Sequence, residues 1–327
     1  MTAIAGRIAF ALVAASLLWS STACLAEPVR IAIVSRTVFY VPVWIADRLG
    51  YFKEEGLEAA IEVYDNAEKI NEDLRSDKVQ IAVSTPESVV VDAYRGGSLR
   101  IIAANTEKLP HFIITKPEIK TLAQLKGARF GVLSLQEGST YLVREITRVA
   151  GLKPDDYEIQ AVRGGPTRQR LLKEGKIDVG LQPFPLSYEA EAAGFNNLGP
   201  VATYVPDYLF TSVNIDGKWG QAHPQTAASF LRAVRKGLTY MAGHPQETAA
   251  IAAEELKSTP ALTERALQDT AKLGILSPDM SISDRALRTV FDTVKSAGLL
   301  PETAVFDRNR IVDAGYLEMN RGRATER

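Results

Sequence analysis

Short apolar runs alternate with longer amphipathic ones along this chain, and the same order of runs returns about a hundred residues later. Val29–Val34 reads as a strand, Ser35–Tyr40 as a loop, and Val41–Leu49 as a helix that Gly50 closes. Ala60–Tyr64 reads as the next strand, Lys69–Arg75 as a helix and Val79–Val83 as a third strand. Ser84-Thr85-Pro86-Glu87 then opens a helix, with a hydroxyl as expected cap and proline and an acid in the first turn. Strands separated by helices of this length predict an α/β fold with mostly parallel sheets.

The second set begins at Arg129–Ser134, a strand, and continues through a helix to Ala150 and a strand over Tyr157–Val162. Its closest echo of the first set is local. Lys78-Val79-Gln80-Ile81-Ala82-Val83 follows Leu74, and Lys176-Ile177-Asp178-Val179-Gly180-Leu181 follows Leu172 at the same offset. Each segment ends in a proline-bearing turn, Ser84-Thr85-Pro86 in one and Gln182-Pro183-Phe184 in the other. Two echoes in the same order imply two lobes on one βαβ plan. His111–Thr115 and Tyr208–Val213 read as extended segments crossing between them. The expected division gives residues 27–112 and 212–319 to the first lobe and 113–211 to the second. From Pro224 the pattern is helical and Ala-rich, over 225–242, 245–256, 263–273 and 283–297, and residues 320–327 read as a disordered polar tail.

Residues 1–26 differ from the rest: one basic residue, Arg7, no acid, an apolar run over Ile8–Trp19, then small residues before Glu27. That is the pattern of a secretory signal peptide, too short in its apolar core to span a bilayer. Cleavage after Ala26 leaves no cysteine, since Cys24 is the only one in the chain. A second processing route makes Cys24 the acylated first residue of a lipoprotein, but Ser21 stands where that route wants an aliphatic residue. Either way no intrachain disulfide, cysteine metal site or thiol catalysis is expected. With 38 basic and 39 acidic residues, no basic stripe marks a nucleic-acid partner.

Catalytic signatures are missing. The sequence holds no HExxH, GxSxG, P-loop or GxGxxG motif, and its three histidines, His111, His223 and His244, are far apart and read as surface or capping residues. No metal site and no cofactor are expected. What recurs is the strand-to-helix turn with hydroxyls and free amides: Arg36–Tyr40, Ser84-Thr85-Pro86, Glu137-Gly138-Ser139-Thr140 and Gln182-Pro183-Phe184. In open α/β sheets ligands bind beyond the C-terminal strand ends, where helix N-termini present unpaired N–H groups. Four such turns on two facing lobes predict a ligand cleft. Arg163 or Arg168 is a candidate fork for a carboxylate or sulfonate, and Phe39, Tyr40 and Phe210 are candidate stacking surfaces.

Phe39-Tyr40-Val41-Pro42-Val43-Trp44-Ile45-Ala46, followed by Gly50-Tyr51-Phe52-Lys53-Glu54-Glu55-Gly56-Leu57, resembles the N-terminal signature of the nitrate/sulfonate/taurine family. Those are periplasmic binding proteins of ABC importers, a group that includes thiamine-pyrimidine binders. Lys116-Pro117 with Ile119–Gly127 is similar to the family's lead into its second lobe, and the resemblance runs over about residues 29–240. It implies a type II periplasmic binding protein, a venus flytrap of two doubly wound lobes joined by two crossing segments. It also implies ligand turns at Phe39, Tyr40, Ser84, Thr85, Gly138, Ser139, Thr140 and Gln182, to which Arg168 and Phe210 are added here.

The expected role is periplasmic capture of a small organic molecule, without chemistry on it, by a monomer that delivers it to an importer permease in the inner membrane. A sulfonate or carboxylate ranks first as ligand, a heterocycle such as a pyrimidine second, an inorganic anion last. Two other roles use the same scaffold. One is a ligand sensor for a membrane receptor; the other is an enzyme resembling pyrimidine synthases or menaquinone-pathway enzymes. The signal segment argues against the enzymes, and the synthases' cysteine cluster has no counterpart beyond Cys24.

Overall fold

The computed structural model describes residues 26–64, 67–135 and 138–321. The expected signal segment up to residue 25, Glu137 of the third turn and residues 322–327 of the expected tail lie outside them. Ten strands carry the described fold: β1 (Glu27–Ile33), β2 (Leu57–Val63), β3 (Ile81–Ser84), β4 (Leu99–Thr106), β5 (His111–Thr115), β6 (Arg129–Val132), β7 (Glu158–Ala161), β8 (Val179–Pro183), β9 (Asn196–Pro200) and β10 (Thr211–Asp216). They form two five-stranded sheets, ordered β2-β1-β3-β10-β4 and β7-β6-β8-β5-β9.

The two orders are one plan used twice. In the first sheet β1 pairs in parallel with β2 and β3, and β10 runs antiparallel between β3 and β4. In the second, β6 pairs in parallel with β7 and β8, and β5 runs antiparallel between β8 and β9. Each sheet is therefore mixed, and its one reversed strand is the one that arrives from the other half of the chain. His111 and Phe112 pair in the second sheet and Thr211 in the first. The chain changes sheets between residues 107 and 110 and again between 201 and 210.

Burial explains why these runs become strands. Every residue of β3 and β10 is buried, as expected for strands covered by helices on both faces. At the edge, β2 alternates or faces solvent over Glu58–Val63, so its apolar signal is weaker. The Ala-rich C-terminal region folds as helices Pro224–Gly243, Pro245–Leu256, Pro260–Lys272 and Asp284–Ser296. Ser283 and Thr259 cap the last two through their side-chain oxygens. Helix Pro224–Gly243 lies close against helix Val41–Arg48: a Cβ at Gly237 would stand 2.5 Å from the Pro42 carbonyl oxygen. Phe52 and Phe230 stack beneath, with ring centroids 5.6 Å apart.

Two expectations need correction. Helix Gly315–Arg321 runs through the first two residues of the expected tail. Helix Glu87–Tyr94 has no hydroxyl cap, because the Ser84 hydroxyl turns into the sheet and accepts from Asn214 Nδ2 at 2.9 Å. Among the described residues no helix is long and apolar enough to cross a membrane.

Candidate functional site

β1 and β3 of the first sheet, and β6, β7 and β8 of the second, end at a shared cavity of about 60 Å³. The loop after β1 brings Thr37, Phe39 and Tyr40 to it, and the turn after β3 brings Thr85 and Glu87. From the second sheet come Gly138 and Ser139 beyond β6, Gly164 and Arg168 beyond β7, and Leu181 and Pro183 from β8. The crossing segments add His111 at the start of β5, and Phe210 and Thr211 at the start of β10.

Several side chains here are held by the protein itself. Asn105 donates to the Phe39 carbonyl at 3.0 Å and to the Thr211 hydroxyl at 2.9 Å, fixing the first loop against β10. Phe210 packs edge-on against Phe39 and the His111 ring, with centroids 5.3 and 4.7 Å away. Arg168, in helix Gly165–Lys173, is 5% exposed and donates to the Leu181 and Arg163 carbonyls at 2.8 and 3.2 Å. Ser139 accepts from the Leu133 backbone N–H at 3.2 Å.

Among the buried polar atoms on the wall that no protein group bonds are Thr85 Oγ1, Glu87 Oε2 and His111 Nδ1. A polar atom buried without a hydrogen bond costs about 1–3 kcal/mol, so several beside one cavity make it the candidate site. Glu87 is 3% exposed; Tyr208 donates to its Oε1 at 2.6 Å, and the Gly138 backbone N–H also donates to the carboxylate. Burial dominates and raises this carboxyl to about 7, against the pull of those hydrogen bonds. Burial, and after it the charge of Arg168, hold the His111 imidazole well below its ordinary range, so it is neutral at pH 7. Among the described residues no cluster of three or more His, Cys, Asp or Glu is placed to hold a metal ion.

Of the expected ligand residues, Phe39, Tyr40, Thr85, Gly138, Ser139, Arg168 and Phe210 meet at this cavity. Ser84, Thr140 and Gln182 do not line it. Ser84 belongs to β3 and bonds Asn214, the Thr140 hydroxyl donates to the Ser134 carbonyl at 3.0 Å, and Gln182 donates to Gln169 at 3.0 Å. Between the two candidate arginines, Arg168 is on the wall and Arg163 is exposed. Reading all three histidines as surface or capping residues was wrong for His111, which is 5% exposed. In the sequence Glu87 reads only as an acid in the first turn of a helix. His111 begins the crossing strand β5 and Glu87 opens the helix that follows central strand β3, the one positional signal that pointed to them.

The NMT1/THI5-like family model matches residues 39–248. The chain belongs to that family. A relative in Candida albicans, named 4-amino-5-hydroxymethyl-2-methylpyrimidine phosphate synthase, is 27% identical over 64% of this chain. The match spans 65% of that protein's length. The Bacillus subtilis protein YtlA, provisionally named a binding protein, is 23% identical over 90% of this chain and 92% of its own. The periplasmic aliphatic sulphonate binding protein SsuA of Escherichia coli superposes with a TM-score of 0.70 at 15% identity, over 89% of this chain and 99% of its own. The NMT1/THI5-like chain thus has the two-lobed periplasmic-binding-protein fold that its strand orders describe.

Proposed function

We propose that this chain is an extracytoplasmic solute-binding protein that captures a small, planar nitrogen heterocycle and hands it unchanged to an ABC importer. The observation that supports it most is the set of unpartnered atoms on one cavity wall: the Thr85 hydroxyl, the Glu87 carboxylate oxygen and His111 Nδ1. A site that buries such atoms selects ligands that pair with them and rejects analogues that lack the matching donors.

Glu87 reverses the order of ligand classes drawn from the sequence. An anion bound beside Glu87 meets repulsion from the ionised carboxyl in a medium that screens poorly. The one wall arginine, Arg168, is held in place by its bonds to the Leu181 and Arg163 carbonyls. A ring that carries an amino group beside a ring nitrogen suits the wall better: its N–H groups pair with Glu87, and Thr85 and His111 offer a hydroxyl and an imidazole nitrogen. Phe39, Tyr40 and Phe210 supply apolar contact for the ring. An aminopyrimidine has this chemistry, and the Candida relative is named for making the phosphate of one.

A thermal-shift panel of aminopyrimidines, alkanesulfonates, aromatic carboxylates and nitrate tests the reading. At 100 times its dissociation constant a ligand stabilises the fold by about 2.7 kcal/mol. Aminopyrimidines should raise the melting temperature and nitrate should not; sulfonates as the best binders would overturn the ligand class, and silence from all four classes would overturn the reading. A second reading, catalysis, has an observation behind it. Glu87, titrating near neutrality, and a neutral His111 share the cavity, and such pairs serve proton transfer in enzymes. Chemical change in the bound compound separates it from capture.

A further inference from the structure

We infer that Glu87 is a strut between the lobes as well as a ligand contact, so that one carboxylate both holds the two halves together and faces the cavity. Glu87 opens helix Glu87–Tyr94 beyond β3, in the first sheet's half. The groups that hold its carboxylate come from elsewhere: Tyr208 from the returning crossing segment, and Gly138 from the first residue of helix Gly138–Val149, beyond β6 of the second sheet. One carboxylate therefore touches the first lobe's own helix, a crossing segment and the second lobe's helix start, and still presents Oε2 to the cavity.

Gly138 makes this approach sterically feasible. A Cβ built there would stand 2.1 Å from Glu87 Oε1 and 2.2 Å from the Tyr208 hydroxyl, distances at which something must shift. Only a residue without a side chain lets the second lobe's helix close onto the carboxylate. The lobes also touch outside the cavity, where the Tyr188 hydroxyl donates to Asp269 and Arg265 lies 3.9 Å over the Tyr188 ring. That contact holds the closed form but sees no ligand. The inference rests on the proposed role of Glu87 only for its ligand contact; the strut itself rests on the Tyr208, Gly138 and Glu87 geometry.

Spin labels on engineered cysteines at exposed Lys173 and Lys257, one in each half, report the distance between lobes in a chain begun at Glu27, which has no other cysteine. The ligand-free parent should populate a short distance matching this structure. Gly138→Ala should move the population to longer distances, and Tyr208→Phe, which removes one hydroxyl and little volume, should move it part of the way. Thermal melts of both variants show whether each remains folded, and a cooperative transition is expected in each. With 4-aminopyrimidine as probe, affinity should fall about tenfold or more in Gly138→Ala. A parent that binds no aminopyrimidine sinks the ligand reading and leaves the strut to be judged on the ligand-free distances. An unchanged distance distribution in both variants overturns the strut, whatever binds.

Discussion

Thr85 and Ser139 sit on facing walls of the same cavity, yet their hydroxyls are in opposite situations, and their removal should have opposite effects. Thr85 Oγ1 is buried and bonds nothing in the protein, whereas Ser139 Oγ accepts the Leu133 N–H at 3.2 Å. Thr85→Val removes a hydroxyl that pays its burial cost without return, so the ligand-free fold should be as stable as the parent or more so. Its ligand loses a hydrogen bond at a desolvated site, worth about 1–3 kcal/mol, which is roughly 5- to 150-fold in affinity. Ser139→Ala strands a backbone donor in the loop before its helix. That should cost about 1 kcal/mol of stability, a fall of roughly 2–4 °C in melting temperature, with a smaller loss of affinity. Calorimetry with the best aminopyrimidine of the panel, beside thermal melts of both variants, reads all four quantities. A Thr85→Val protein that binds like the parent would refute the argument that unpartnered atoms on this wall are ligand contacts.

Glu87→Gln should flatten part of the pH dependence of stability. A carboxyl raised to about 7 in the fold from 4.5 binds more protons folded than unfolded, so it favours the fold below pH 4.5 and that support is lost as pH rises to about 7. His111, lowered from 6.5, acts in the other direction, losing stability as pH falls below 6.5, so the comparison must be parent against Glu87→Gln across pH 4.5–8. The variant should gain relative stability toward pH 8; parallel curves would mean that the carboxyl is not buried as described. Arg168→Met should lower the melting temperature by several degrees, because the Leu181 and Arg163 carbonyls lose their donors, and a parent-like melt would argue that those bonds are not formed in solution. Intact-mass measurement of the protein from membrane and soluble fractions should show a chain beginning near Glu27, while a diacylglyceryl adduct on Cys24 would make it a lipoprotein.

Much of the architecture was legible because core strands leave continuous apolar runs. The echo between Val79–Val83 and Ile177–Leu181 marks β3 and β8, the central strands of the two sheet orders. β9 left no such trace: Asn196-Asn197-Leu198-Gly199-Pro200 is an edge strand that gains its identity from pairing with β5, not from its own composition. Leu99–Thr106, by contrast, carries an apolar run that matches its burial in β4. At the site, turn chemistry located the right loops but not the direction of each side chain. Ser84 and Thr85 are neighbours, and the alternation along a strand end sends one to Asn214 and the other to the cavity. For His111 and Glu87 the obstacle was different. A histidine or an acid reads as a surface residue until the fold wraps two sheets around it, and only then does burial shift its titration.

Capture without chemistry, in the cavity between the two sheets, leaves the bound compound unchanged. Native mass spectrometry of the chain from Glu27 equilibrated with an aminopyrimidine, followed by mass measurement of the released compound, reads this. One intact ligand per chain should be bound, the released compound should have its original mass, and Glu87→Gln should bind far less. A released compound of changed mass, or equal binding by parent and Glu87→Gln, would contradict the account.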